Sequence, residues 1–255
     1  MRYTDSFGFE WNRFSKTQLD SANGTRRSRD AFVEKTGWRL EDLRAKRVLD
    51  AGCGMGRFAE IAADAGAEVH AVDLSEAVFA ARENLRLRPN VHIYRADIMA
   101  LPFREQTFDF IYSIGVLHHT PDTRRAFEQL VPLLRPSGQI AIWVYSTRLQ
   151  LMVGSEILRI LTPRLPKETL LRLSRIAIPL YRVHRLRRIG TVTALILPTS
   201  LDPDPEWRWL DTFDWYSPRY QWKHTYPEVE GWFKEAGLVD IKRGQFPVSV
   251  RGRRP

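Results

Sequence analysis

Between Arg47 and Tyr145, five short apolar runs alternate with stretches of helical spacing. The runs are Arg47–Asp50, Glu68–Asp73, Val91–Tyr94, Phe108–Tyr112 and Gln139–Tyr145. Helices are predicted over 56–65, 75–88 and 122–134, the second with Ser75 as its N-cap. This alternation calls for a parallel sheet with helices on both faces, since parallel strands need a crossover between them. Right-handed crossovers bring the C-terminal ends of the strands to one edge, where ligands bind. Asp50, Asp73, Asp97 and Ser113 each end a run or follow one directly, so that edge is expected to be polar.

The first of these strand ends leads into Val48-Leu-Asp-Ala-Gly-Cys-Gly-Met-Gly56. Glycines at 52, 54 and 56 let the backbone turn tightly and approach a ligand without Cβ obstruction. A dinucleotide fingerprint would need its third glycine at 57, which is Arg57, and no Gly-Lys-Ser/Thr follows to make a phosphate loop. The acid ahead of the glycines, Asp50, suits a cationic ligand better than a pyrophosphate. Asp73, 19 residues after Gly54, can accept hydrogen bonds from both hydroxyls of a ribose. Asp97 can accept one from an adenine amino group. A glycine bend with three strand-end acids fits a nucleoside that lacks phosphate and carries a positive charge, and S-adenosylmethionine is such a ligand.

Together the segments Asp50-Ala-Gly-Cys-Gly-Met-Gly-Arg57, Val72-Asp-Leu-Ser75, Ala96-Asp97, Phe108-Asp-Phe110 and Leu134-Arg-Pro-Ser-Gly138 resemble the successive signatures of class I S-adenosylmethionine-dependent methyltransferases. The likeness is strongest to the broad small-molecule group that includes ubiquinone and menaquinone enzymes. It implies a Rossmann-like α/β fold with a seven-stranded, mostly parallel sheet whose last strand is antiparallel. It also implies that Asp50, Gly52, Gly54 and Gly56 hold the methionine end, Asp73 with Leu74 the ribose, and Asp97 with Ile98 the adenine. Ser113 would line the methionine portion. The implied reaction is direct in-line methyl transfer to a small-molecule or lipid-like acceptor, with no metal required.

Around this core the chain is expected to divide into an N-terminal cap (1–40), a cofactor-binding domain (41–146 and 224–255) and a helical, aromatic insert (147–223) over the substrate side. The insert is Leu/Ile/Arg-rich and is expected to break at Pro163, Pro166 and Pro179. A tryptophan-dense loop follows over 207–222, then a helix over 228–236 with Gly237 as C-cap and strands at 238–241 and 246–250. Trp215, Tyr216 and His224 are candidate substrate-side residues, with simple packing of the loop as the alternative. The segment Phe7-Gly-Phe-Glu-Trp-Asn-Arg-Phe14 either closes over the cofactor or staples the domain surface.

After the fourth strand comes Gly115-Val-Leu-His-His-Thr-Pro121, where His118 or His119 could take the acceptor's proton or merely position the loop. Asp109 is read as structural, and Cys53 as a small loop residue rather than a nucleophile. With one cysteine, no intramolecular disulfide and no multi-cysteine metal site can form, and no metal-ligand cluster stands out in the sequence.

The formal charge of +9 is unevenly spread. Residues 148–190 hold ten Lys/Arg against two Asp/Glu, and the last fourteen residues add five basic side chains and no acid. Over 170–185, Arg172, Arg175, Arg182 and Arg185 share one side of a helical wheel, opposite Leu170, Leu173, Ile176, Leu180 and Val183. Such a stretch can be solvated surface, a lid, or a peripheral contact with an anionic membrane. Nucleic acid is the less favoured partner: neither the Asn/Asp-Pro-Pro-aromatic motif nor a Pro-Cys nucleophile is present, and no RNA-binding module is recognisable. An RNA methyltransferase and a non-catalytic cofactor-binding regulator remain the alternatives. With no signal-like start and no apolar run near the roughly 20 residues of a membrane span, a cytoplasmic protein is expected, peripheral to a membrane at most.

Overall fold

The computed structural model describes residues 4–147, 153–186 and 189–255. One seven-stranded sheet forms from β1 (Arg47–Ala51), β2 (Glu68–Asp73), β3 (Val91–Arg95), β4 (Phe108–Ile114), β5 (Leu134–Trp143), β6 (Val239–Arg243) and β7 (Ser249–Arg253). The spatial order is β3-β2-β1-β4-β5-β7-β6. The first five strands are parallel to one another, and β7 runs antiparallel between β5 and β6. The expected mostly parallel sheet with an antiparallel last strand is therefore what the chain adopts. Val48, Leu49 and Ala51 of β1 are all fully buried, as befits a central strand covered on both faces. Because β2 lies on one side of β1 and β4 on the other, the strand order reverses there and opens a crevice at the C-terminal edge.

Helices flank the sheet: α1 (Asp5–Arg13), α2 (Asp20–Asn23), α3 (Arg27–Thr36), α4 (Arg57–Asp64), α5 (Ala77–Leu85) and α6 (Thr123–Leu130) precede the insert. The insert supplies α7 (Val153–Leu158), α8 (Lys167–Ser174), α9 (Ala177–His184), α10 (Ile189–Ile196) and α11 (Pro205–Tyr216), and α12 (Tyr226–Glu235) leads back to the sheet. One core cluster joins Leu49, Ile111 and Ile142 to Phe127 of α6 and Phe233 of α12. The opposite face packs Val48, Tyr112 and Ala141 against Phe32 of α3 and Phe58 of α4. A third cluster joins Phe14, Leu170, Leu171, Leu210 and Phe213, so the N-terminal segment and the insert share one apolar core.

Several sequence expectations are corrected. The tryptophan-dense segment is a helix over most of its length: Asp204 caps α11 by accepting from the Glu206 and Trp207 amides, and Pro205 occupies the first turn. The helix predicted to reach Leu134 stops at Leu130, because Pro132 has no amide to continue the ladder; Leu134 already belongs to β5. Glu76 rather than Ser75 is the N-cap residue of α5, although the Ser75 hydroxyl accepts from the Ala77 amide at 3.2 Å. Pro179 does not break α9, since it sits in the first turn where its missing amide would be unpaired anyway. The expected final strand at 246–250 forms at Ser249–Arg253.

The 170–185 stripe is also redrawn. The helix interrupts between Ser174 and Ala177, which rotates the buried face to Leu170, Leu171, Ser174, Ala177 and His184. Leu173 and Ile176 are left exposed. Residues 148–152 and 187–188 of the basic segment lie outside the described residues.

Candidate functional site

At the end of β1 the chain folds back onto β2. The Gly52 and Cys53 amides both donate to the Val72 carbonyl, at 2.8 and 2.9 Å. Gly52 takes φ +97°, and a Cβ there would run into both Cγ atoms of Val116, so only glycine fits between strand end and crevice. At Gly54 (φ +53°) a Cβ would stand 3.1 Å from Trp11 Nε1, so α1 lies directly on the glycine loop. Asp73 locks this arrangement: Oδ2 accepts from the Gly54 amide at 2.9 Å, and Oδ1 from the Ser75 amide and hydroxyl at 2.8 and 2.7 Å. A carboxylate has about four acceptor positions, so one remains for a ligand on Oδ2.

The loop and Asp73 face a cavity of about 660 Å³. That volume lies within the ~300–1,000 Å³ typical of small-molecule sites. On the sheet side its walls include Gly52, Gly54, Asp73, Leu74, Ile98 and His119. Thr4, Phe7 and Trp11 project from the N-terminal segment at helical spacing. Trp207, Asp211, Asp214 and Trp215 form a matching stripe on α11. The cavity thus closes between the sheet edge, the N-terminal segment and the insert.

The remaining expected residues lie off this cavity, each with a physical reason. Asp50 is buried beneath the loop, its Oδ2 without a partner among the described residues, and burial, aided by the Asp73 charge, pushes its pKa up to about 8. Gly56 precedes α4 and packs on Leu85. The Asp97 carboxylate turns back to cap the short helix after it, accepting from the Met99 amide at 2.9 Å. Ser113 donates its hydroxyl across the sheet to the Ala51 carbonyl at 2.7 Å and is fully buried. Tyr216 is buried in the shared apolar core and donates to the Pro198 carbonyl at 2.7 Å. Both ring nitrogens of His224 are engaged, with Glu228 at 2.8 Å and Thr123 at 3.0 Å.

The two adjacent histidines differ. His118 is fully buried, stacked on Tyr145 with centroids 3.9 Å apart, and neither ring nitrogen has a partner among the described residues. Burial drives its pKa well below the ordinary value. His119 lines the cavity beside Phe7; its Nδ1 sits 2.8 Å from the Tyr220 carbonyl, which makes Nδ1 the protonated nitrogen. Burial lowers its pKa to about 3.

The sequence reading missed the polar groups opposite the glycine loop. The Tyr145 hydroxyl donates to Asp214 Oδ2 at 3.1 Å, and both residues line the cavity. Burial raises Asp214 to about 6; burial, then the Asp214 charge, raises Asp211 to about 7. Behind them Glu10 is fully buried, and burial with the charges of Asp214 and Asp211 raises its pKa well above the usual carboxylate range. Lys35 also reaches the cavity, its Nζ 3.8 Å from the Trp143 ring centroid, and burial with the nearby Arg57 lowers it to about 7. The Asp204-Pro205-Glu206 helix start was the available signal for Asp211 and Asp214, since it puts both on one face with Trp207 and Trp215.

Comparison with known proteins bears on the sheet-side half of this site. Residues 49–142 match a family model described as a methyltransferase domain. The malonyl-[acyl-carrier protein] O-methyltransferase of Enterobacter lignolyticus is 38% identical over 116 residues, covering 46% of this chain and 44% of that protein. The ubiquinone biosynthesis O-methyltransferase of Coxiella burnetii is 32% identical over 128 residues, covering 48% and 55%. The chain spans about half the length of the curated relatives it matches. Over 93% of the chain, the fold is similar to a possible exported protein from Bordetella parapertussis, with TM-score 0.55, 15% identity and 70% of that chain covered. Residues 49–142, from β1 to β5, are thus similar to methyltransferase domains.

Proposed function

We propose that the chain transfers a methyl group from S-adenosylmethionine to a small-molecule or lipid-like acceptor. The observation that carries this reading is Asp73, held by the glycine loop and Ser75 with an acceptor position still open, on a cavity whose far wall is aromatic and acidic. The glycine cradle under Val116 and Trp11 lets a ligand lie against the backbone at the end of β1, which fits an adenosyl group without phosphate. Bound there, S-adenosylmethionine supplies an electrophilic methyl carbon on a positively charged sulfur.

The chain's own residues do the rest. Asp73 fixes the ribose end, while Ile98 and Leu74 cover the adenine side. Phe7, Trp11 and Trp215 exclude water and hold the acceptor in line, which is where most of the rate of such a displacement originates. An O–H or N–H acceptor gives up its proton when it is methylated, so a cavity residue would have to take that proton. Asp214, raised to about 6 and aligned by the Tyr145 hydroxyl, matches neutral pH better than His119 at about 3. His119 then acts by position, presenting the Nε2 lone pair to the cavity.

Incubating the chain with isotopically labelled methyl donor and a metabolite extract tests the reading. Label should enter a small-molecule or lipid fraction; label confined to RNA would overturn it.

The insert supports a finer statement about the partner. Ile160, Leu161, Leu173, Leu186, Ile189 and Ile196 are all exposed and interleaved with Arg164, Arg172, Arg182 and Arg185. An apolar surface set among arginines is suited to the headgroup region of an anionic membrane. No helix among the described residues is long and apolar enough to cross one. Flotation with phosphatidylglycerol vesicles should carry the chain upward; equal recovery with neutral phosphatidylcholine vesicles would remove this contact.

A further inference from the structure

On the same sheet, at the end away from the cofactor cleft, three metal-ligating side chains converge. Glu68 and His70 stand two residues apart on β2 and so share one face. His92 on the edge strand β3 pairs in register with His70 and joins that face. His70 Nε2 lies 3.4 Å from Glu68 Oε1, His92 Nε2 lies 4.0 Å from the same oxygen, and the three ligand atoms fall within 4.8 Å of one another. We propose that Glu68, His70 and His92 form a binding site for one divalent transition-metal ion of the zinc class.

Distances and outer contacts agree with this assignment. Zinc bonds of about 2.0–2.2 Å place neighbouring tetrahedral ligands roughly 3.3–3.5 Å apart, so closing the two wider gaps takes shifts on the order of 1 Å in the half-exposed Glu68 and His92 side chains. The Tyr94 hydroxyl lies 3.3 Å from His70 Nδ1 and can accept its proton, which leaves Nε2 free as a ligand. Tyr94 also stacks on the His70 ring, and Phe103 and Phe108 pack against its edges, so its orientation is set before any ion arrives. Arg47 Nε binds Glu68 Oε2 at 3.0 Å, holding that carboxylate while Oε1 faces the imidazoles.

Two imidazoles and a carboxylate select zinc, cobalt, nickel or copper over magnesium or calcium. Two of the ligands are partly exposed, so the remaining coordination positions open to water. Glu68 begins β2 and Asp73 ends it, about 16 Å away at ~3.3 Å per residue. At that distance the ion does not touch the reacting atoms. Its physical effect is to tie the edge strand β3 to β2, where the ladder otherwise ends.

The test is calorimetric titration of the untagged, chelator-stripped full chain with Zn2+. One site of micromolar affinity is expected, absent for Mg2+ at the same concentration. His92→Ala and Glu68→Gln should each weaken it at least tenfold, and Tyr94→Phe several-fold, with S-adenosylmethionine affinity unchanged in His92→Ala. Cobalt substitution should give the visible absorption of a site with nitrogen ligands, lost in His92→Ala. No saturable zinc binding below roughly 100 μM, or equal affinity in His92→Ala and Glu68→Gln, would overturn the assignment.

Discussion

Replacing Gly52 by alanine offers a sharp test of how the crevice is built. Two costs add at this position. The φ of +97° places an L-residue in a strained region, worth about 1–3 kcal/mol. The new methyl also runs into Val116, and forcing extra volume into a packed site costs a further ~1–3 kcal/mol. Gly66→Ala is the matched control: φ is +87°, but the nearest atom to an added Cβ is Arg44 Cγ at 3.4 Å, an ordinary contact. The two variants should therefore differ by about 1–3 kcal/mol, which for a domain of this size is roughly 2–12 °C in melting temperature. Thermal unfolding followed by circular dichroism reads the difference. Val116→Ala in the Gly52→Ala background should recover part of it, leaving the contact to Val116 Cβ at 2.8 Å. Because Val116 also lines the cavity, Gly52→Ala should lose cofactor affinity while Gly66→Ala keeps it. Equal melting temperatures, or unchanged cofactor binding in Gly52→Ala, would refute the close approach of the loop to Val116.

Other consequences concern titration. Asp214→Asn should lower kcat by about 100-fold or more and abolish the rise of kcat with pH through about 6, with cofactor affinity intact, as measured by steady-state pH profiles. Asp211 is raised from the ordinary carboxylate value to about 7, so the folded state holds its proton between about pH 4 and 7 while the unfolded chain has lost it. Stability from this group is complete at low pH and falls as pH rises through about 7. Asp211→Asn should flatten that decline in denaturant titrations at pH 5 and pH 8; an unchanged slope would contradict the burial of the carboxyl. His119→Ala should raise the acceptor KM more than it lowers kcat, and a pH–rate limb that disappears with His119 would instead make it the base.

The sheet was legible because its signals are local. Central strands read as unbroken apolar runs, and the glycines with Asp73 leave a spacing that few other sites share. What the sequence did not disclose depends on where side chains point after folding. Asp50 and Asp73 both end strands, yet Asp50 turns under the loop and Asp73 into the cavity. Asp97 carries the expected residue type in the expected place, but its carboxylate accepts from the Met99 amide at 2.9 Å. The tryptophan cluster has the composition of a loop, yet the Asp204 cap and Pro205 start a helix there. Asp211 and Asp214 became visible as cavity groups only once that helix was placed against α1. The Glu68, His70 and His92 group spans two strands, so only the register of β2 with β3 reveals it.

Titration calorimetry of S-adenosylmethionine into the wild-type chain and into Asp73→Asn most directly tests whether a phosphate-free adenosyl sulfonium occupies the crevice. One site at micromolar affinity is predicted for the wild type. Losing one charge-assisted hydrogen bond to a ribose hydroxyl, ~1.5–3 kcal/mol, should weaken the variant by roughly 10- to 100-fold. No binding to the wild type at millimolar cofactor, or equal affinity in the two proteins, would contradict the account.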